Sequence, residues 1–184
     1  MNLLGLDLGS RLTGACCGDG AQLPHVDTWE FQPCGDDYGA LLVQLDDYLN
    51  VAHARFGFQA VAYEAPILIT RDRKGSGYGD NLRKLRLLYP LGAHVEFWCK
   101  RRGIEDCFEV SIASIKKEVT GNAYAAKDDM VAMAQKVGLQ LPRGEKAKDA
   151  ADSWGAWLLL LRHMKPSLSP AWDKKIWSPK GALL

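Results

Sequence analysis

The sequence predicts an α/β protein built on a mixed five-stranded sheet with helices on both faces. Three observations predict it. Three short strand-like runs follow one another at the start, joined by Gly- and Asp-rich connections, which is the pattern of an antiparallel meander. Beyond them, segments with helical spacing alternate with strand-like runs, the order expected of parallel pairing through crossovers. The length, 184 residues with 47% apolar composition, suits one compact domain with a full hydrophobic core.

LLGLDL at 3–8 reads as a buried first strand, TGACCG at 13–18 as a second after a turn through Gly9 and Ser10, and HVDTWEF at 25–31 as a third. Residues 38–55 carry Leu41, Leu42, Leu45, Tyr48, Leu49 and Ala52 at helical spacing. QAVAYEA at 59–65 is a fourth strand, entered from that helix and so parallel to the first, and Pro66 ends it. A loop with three glycines and a net positive charge follows. A helix is predicted from about Asn81 to Arg102, with Leu82, Leu85, Leu88, Tyr89, Gly92, Val95 and Cys99 on its apolar stripe. FEVS at 108–111 reads as a fifth strand. Helices are predicted over 111–119, 126–137 and 147–164. The domain is read as residues 1–164, and 165–184 as a C-terminal tail whose Trp172 and Trp177 pack back on the core.

The formal net charge of +1 excludes a wholly basic chromatin-type protein and a disordered acidic chain. It hides an asymmetry. Residues 1–50 hold one base, Arg11, against eight acids, whereas residues 71–102 hold nine bases against three acids. A basic block on a near-neutral chain is the footprint of a polyanion-binding face. Within it Arg71, Arg73 and Lys74 sit in the Gly-rich loop, placed to track backbone phosphates. The five cysteines, with one adjacent pair and no CxxC spacing, form neither a disulfide framework nor a zinc site and are expected to be reduced. His25, His53, His94 and His163 are scattered and read as structural. No apolar run reaches the roughly 18 residues of a membrane span, and the start lacks the basic and cleavage features of a signal peptide, so a cytoplasmic protein is expected.

The chemistry is concentrated in four acids. Alternation puts Gly5, Asp7 and Gly9 on one face of the first strand, so the carboxylate is flanked by residues without side chains. Glu64 repeats the device, sharing its face with Ala60 and Ala62. A buried unpaired carboxylate is costly and must be neutral, hydrogen-bonded, paired or metal-bound. Asp149 and Asp152, three apart near the start of the last helix, lie on one helical face, and Ala150 and Ala151 between them permit close approach to a sheet. Were that helix to pack over strands one and four, all four carboxylates would converge. An all-oxygen set of this kind selects a hard cation, Mg²⁺ or Mn²⁺. A pair of such ions activates water and stabilises the leaving oxygen of a phosphodiester.

These residues carry a resemblance. GLDLGSRLTG at 5–14, VAYEAP at 61–66, IKKEVTGNAYAAKDDM at 115–130 and DAAD at 149–152 resemble, in order, motifs of the RuvC family of Holliday-junction resolvases, within the ribonuclease H-like nucleases. The resemblance implies a ribonuclease H-like fold, a homodimer, Mg²⁺ dependence without an organic cofactor, and paired nicking of a four-way DNA junction. It also implies catalytic and metal-binding roles for Asp7, Glu64, Asp149 and Asp152. Lys116 and Lys127, flanking Gly121, match the family's lysine–glycine–lysine stretch and would hold a phosphate. Ile67, Leu68 and Tyr78 stand where the family carries an aromatic wedge, and the second glycine usual in that stretch is absent. Two alternatives stay open: a ribonuclease H-like nuclease acting on other branched DNA or on RNA, and a junction-binding protein without catalysis. DLGSRLTG also superficially resembles the first phosphate loop of actin-type ATPases, but no second such loop follows.

Overall fold

The computed structural model of the chain describes residues 1–35, 37–66 and 78–177. Its strands are β1 (Asn2–Asp7), β2 (Leu12–Gly18), β3 (His25–Glu30), β4 (Phe58–Glu64) and β5 (Asp106–Val110). Its α-helices are α1 (Tyr38–Phe56), α2 (Tyr78–Arg101), α3 (Ile112–Thr120), α4 (Lys127–Lys136), α5 (Lys146–Met164) and α6 (Ser169–Trp177). One five-stranded sheet has the order β3-β2-β1-β4-β5. The first three strands form the antiparallel meander, and β4 pairs parallel with β1 and with β5.

The sheet divides two cores by strand parity. Leu4, Leu6, Ala15, Cys17, Val61 and Tyr63 face α1 and α2, where Leu41, Leu45, Leu49, Leu91, Val95 and Trp98 complete a buried cluster. Leu3, Cys16, Ala60 and Ala62 face α5, backed by α3, α4 and α6. The inward stripe of α2 therefore runs through Leu91 and Trp98, while Tyr89, placed on the stripe by spacing, is 45% exposed. In the segment read as a tail, Trp172 and Ile176 are part of the α5-side core, whereas Trp177 is 49% exposed. Cys16, Cys17, Cys34, Cys99 and Cys107 are all free thiols. Among the described residues no helix is long and apolar enough to cross a membrane.

The element that matters for the site is α5, and two glycines decide where it lies. A Cβ on Gly5 would stand 2.3 Å from the Trp157 nitrogen and 2.4 Å from the Ser153 oxygen. A Cβ on Gly14 would stand 2.0 Å from the Asp149 oxygen. Both contacts are with backbone, which cannot yield as a flexible side chain does. The helix therefore rests directly on the backbone of β1 and β2, and no other residue type fits beneath it. On its other side Gly155 admits Ile115 of α3 at the same close range.

Gly14→Ala should therefore destabilise the protein by at least the roughly 1–3 kcal/mol of core overpacking. A lowered denaturant midpoint at unchanged slope in equilibrium unfolding would show it, and a midpoint equal to the parent's would refute the close-approach account.

Candidate metal centre

β1 and β4 are adjacent and parallel, with Gly5 opposite Ala62 and Leu6 opposite Tyr63, so the strands end side by side. Asp7 and Glu64 are their last residues. Both side chains lie on the α5 face, as parity predicts. The turn after Asp7 is fixed by the buried Thr13, whose hydroxyl accepts from the Gly9 amide and donates to the Gly9 carbonyl, each at 3.2 Å. From above, α5 delivers Asp152, which is 1% exposed. Carboxylate oxygens of Asp7, Glu64 and Asp152 all lie within 4.8 Å of one another.

Asp149 sits one helical turn earlier, at the rim. Its side chain is 24% exposed, and it lies outside the trio of mutually close oxygens. It joins them through Lys127, the first residue of α4. The Lys127 Nζ stands 3.3 Å from Asp149 Oδ1 and 3.2 Å from Asp152 Oδ2. Lys116, on α3, is near enough for its charge to favour the ionised forms of Glu64 and Asp152. The structure thus brings together Asp7, Glu64, Asp152 and Lys127, with Asp149 and Lys116 at the margin.

The electrostatics are those of crowded like charges. Burial, and then the charges of Glu64 and Asp152, push Asp7 well above the ordinary carboxylate range. Burial and Asp152 push Glu64 up to about 7. Asp152 is raised by burial, with Lys127 acting in the opposite direction. Burial alone would lower Lys127, but Asp7 and Asp152 outweigh it and hold the ammonium above its usual range.

One lysine leaves the site under-compensated. Among the described residues Glu64 Oε2 and Asp152 Oδ1 are buried without a hydrogen-bond partner, and Asp152 Oδ2 has only its charge contact with Lys127. Buried carboxyl oxygens in that condition are costly. Three carboxylates converging from two strands and a helix, with orphaned oxygens and no sulfur or imidazole donor among them, fit a hard divalent cation. A cleft of about 380 Å³ opens beside them, lined by Asp7, Arg11, Leu87, Leu88, Lys127 and Asp149. Arg11 was not singled out for the site from the sequence, although it is the one base among the first fifty residues.

Of the other expected site residues, Arg71, Arg73, Lys74, Ile67 and Leu68 lie outside the described residues, and Tyr78 opens α2 with its side chain likewise undescribed. Two of the histidines are carried on α1 and α2. His53 packs between Phe58 and Trp98, and His94 lies 3.1 Å from Asp46.

No protein-family model and no curated protein sequence matches the chain. Solved structures do. The chain is similar to the RuvC structure of Thermus thermophilus, with a TM-score of 0.63 and 19% identity over 90% of this chain and 97% of that one. It is similar to T. thermophilus RuvC in complex with a Holliday junction substrate, with a TM-score of 0.66 and 18% identity over 91% and 97%. It is similar also to the yeast mitochondrial Holliday junction resolvase Ydc2, with a TM-score of 0.54 and 17% identity over 92% and 83%. The fold is thus the RuvC fold, as the ordered motifs implied.

The charge crowding has a measurable consequence. Folded Glu64 holds its proton up to about pH 7, whereas in the unfolded chain it ionises near its ordinary 4.5. Its contribution to stability is therefore full below about pH 4.5 and is lost as the pH rises through 7. In chelator, Glu64→Gln should gain stability relative to the parent between pH 5 and pH 8, read as a widening difference in melting temperature. A constant difference across that range would contradict the coupling.

Proposed function

We propose that the chain is a divalent-metal-dependent endonuclease that resolves four-way DNA junctions by paired nicks. The observation that carries this reading is the meeting of Asp7, Glu64 and Asp152 within 4.8 Å on one face of the sheet. The RuvC fold and the ordered motifs support the choice of substrate. The nuclease unit in this reading is residues 1–164, with 165–184 as a tail whose α6 packs onto it.

Asp7, Glu64 and Asp152 would hold Mg²⁺, or Mn²⁺, with Asp149 completing the set from the rim. When bound, such ions supply an activated water and stabilise the charge developing on the leaving 3′ oxygen. The chain's own residues do the rest. Asp7, the last residue of the central strand, would serve both ions. Asp152 holds its oxygens in a pocket too dry for bulk water to compete. Lys127 and Lys116 present cations where a scissile or neighbouring phosphate would enter, and Arg71, Arg73 and Lys74 would follow the strand outward. The cleft under Leu87 and Leu88 gives the backbone a path to the acids.

A four-way junction offers two equivalent strands, so a homodimer with two such sites matches it, and an isologous pairing is the simplest arrangement. We place the work in the cytoplasm, with DNA as partner and neither membrane nor organic cofactor required. The competing readings are a related nuclease on other branched DNA or RNA, and a silent binder whose acids are structural.

Asp7→Asn separates them. The amide keeps the shape but is a poor ligand for a hard cation. Cleavage of a synthetic four-way junction in Mg²⁺ should fall by about a hundredfold or more, since even supporting groups around a metal are worth roughly 10–100-fold. Binding measured without cleavage should persist. A parent that binds the junction yet leaves it uncut in Mg²⁺ and Mn²⁺ would establish the silent binder. Faster cutting of a Y-fork or an RNA–DNA hybrid than of the junction would reassign the substrate.

A further inference from the structure

Between Lys116 and Lys127, whose charges both act on Glu64 and Asp152, the chain makes a turn at residues 120–125. Tyr124 on that turn is 93% exposed, the most exposed large apolar side chain among the described residues. Its presentation is built rather than loose. Gly121 ends α3 at φ +76, a conformation that only glycine adopts without strain. The Thr120 hydroxyl donates to the Lys116 carbonyl at 2.8 Å and accepts from the Asn122 amide at 3.1 Å. The Asn122 side chain accepts from the Tyr124 amide itself at 2.9 Å. Ala125, the next residue, is buried and accordingly anchors the turn from below. On the other flank the Trp177 ring lies against Gly121, 3.3 Å from where a Cβ would stand. A phenol ring held clear of the surface by its own backbone, three residues from Lys127, gains nothing from the fold.

We infer that Tyr124 is a nucleic-acid-contacting residue that stacks on a base of the strand whose phosphate Lys116 and Lys127 engage. The inference rests on the nuclease reading above and adds to it a contact that is not ionic. Lys116 and Lys127 flank the turn and Lys117 beside them is exposed, whereas Asp128 and Asp129 lie beyond Lys127 in the first turn of α4. An aromatic face accepts any base, so the contact would fix the position of the strand and leave sequence unread. Phosphate contacts orient the protein on the backbone, and a stacked ring adds a contact made to one particular nucleotide.

The test is equilibrium binding of a fluorescent four-way junction to proteins carrying Asp7→Asn, so that no strand is cut, over a range of salt concentrations. Adding Tyr124→Ala should weaken binding by about five- to a hundredfold, the range for loss of one base–aromatic stack. The slope of log affinity against log salt should not change, because no counterion-releasing contact is lost. Tyr124→Phe and Tyr124→Trp should bind as the parent does. Melting temperatures should be equal throughout, since the side chain is 93% exposed. Tyr124→Ala binding within twofold of the parent would overturn the inference, as would a loss accompanied by a shallower salt slope. Tyr124→Phe failing as badly as Tyr124→Ala would replace the stack by a hydroxyl contact. Unaltered binding with a changed oligomeric state in sedimentation would make the ring part of a protein interface instead. A parent with no preference for the junction over linear duplex defeats the substrate reading, whereas a junction-binding parent matched by Tyr124→Ala defeats this inference alone.

Discussion

The close approach of α5 to the backbone of β1 and β2 is the constraint on which the rest depends. Ordinary side chains between a helix and a sheet hold the two backbones apart. Here Gly5 and Gly14 remove the intervening side chains, so that the helix backbone touches the strand backbone. Ala150 and Ala151 continue the same economy of volume from the helix side, both fully buried. Asp152 is thereby lowered onto the ends of β1 and β4, where Asp7 and Glu64 already stand next to each other because the strands pair in parallel.

That arrangement works against stability wherever it is uncompensated. Three acids crowd one dry site, with a single lysine ammonium in contact among the described residues. The fold tolerates the cost because α5 is otherwise anchored so thoroughly. Trp154, Trp157, Leu158 and Leu161 are fully buried along it, and Trp157 also donates to the Gly18 carbonyl at 3.2 Å. Trp172 of α6 packs on Trp157 with ring centroids 5.2 Å apart and donates to the Gly20 carbonyl at 2.9 Å, fastening the far end of the helix to the β2–β3 turn. Burial of large aromatic surface at one end of the helix thus holds like charges together at the other.

Much of this was legible in the residues. Alternation alone put Asp7 and Glu64 on one face with small neighbours, and the helix between β3 and β4 made the β1–β4 pairing parallel. What local pattern could not supply was depth. Asp149 and Asp152 share a helical face, and nothing in their spacing says that Asp152 enters the trio while Asp149 stays at the rim. That depends on how far along the strands α5 is set, which Gly14 decides through a contact between residues 135 positions apart. The same holds for Lys127. Its place in a lysine–glycine–lysine stretch suggested a phosphate, but its position against two carboxylates follows from how α4 packs on α5. The proline-rich segment after 164 looked like a tail for a related reason. Its helix is short, and only the three-dimensional contact with Trp157 and Lys136, whose ammonium donates to the Ile176 carbonyl at 2.6 Å, explains why it is ordered.

The acids and the cations of this site are carried on elements of different kinds, and that difference bears on how the parts would act in turn. Asp7 and Glu64 end central strands, and Asp152 is locked inside a buried helix, so the anionic half has little freedom to move. Lys116 and Lys127 extend from α3 and α4 on long, partly exposed stems, joined by the turn that presents Tyr124. A lysine so placed satisfies part of the acidic charge and can swing away along its stem without disturbing the fold. In the proposed nuclease the rigid half would define where chemistry takes place, and the adjustable half would meet the incoming phosphate. Acids fixed on two strands and a buried helix, beside lysines carried on α3 and α4, would therefore let the proposed nuclease hold a cation under electrostatic tension while leaving its lysines free to change partner.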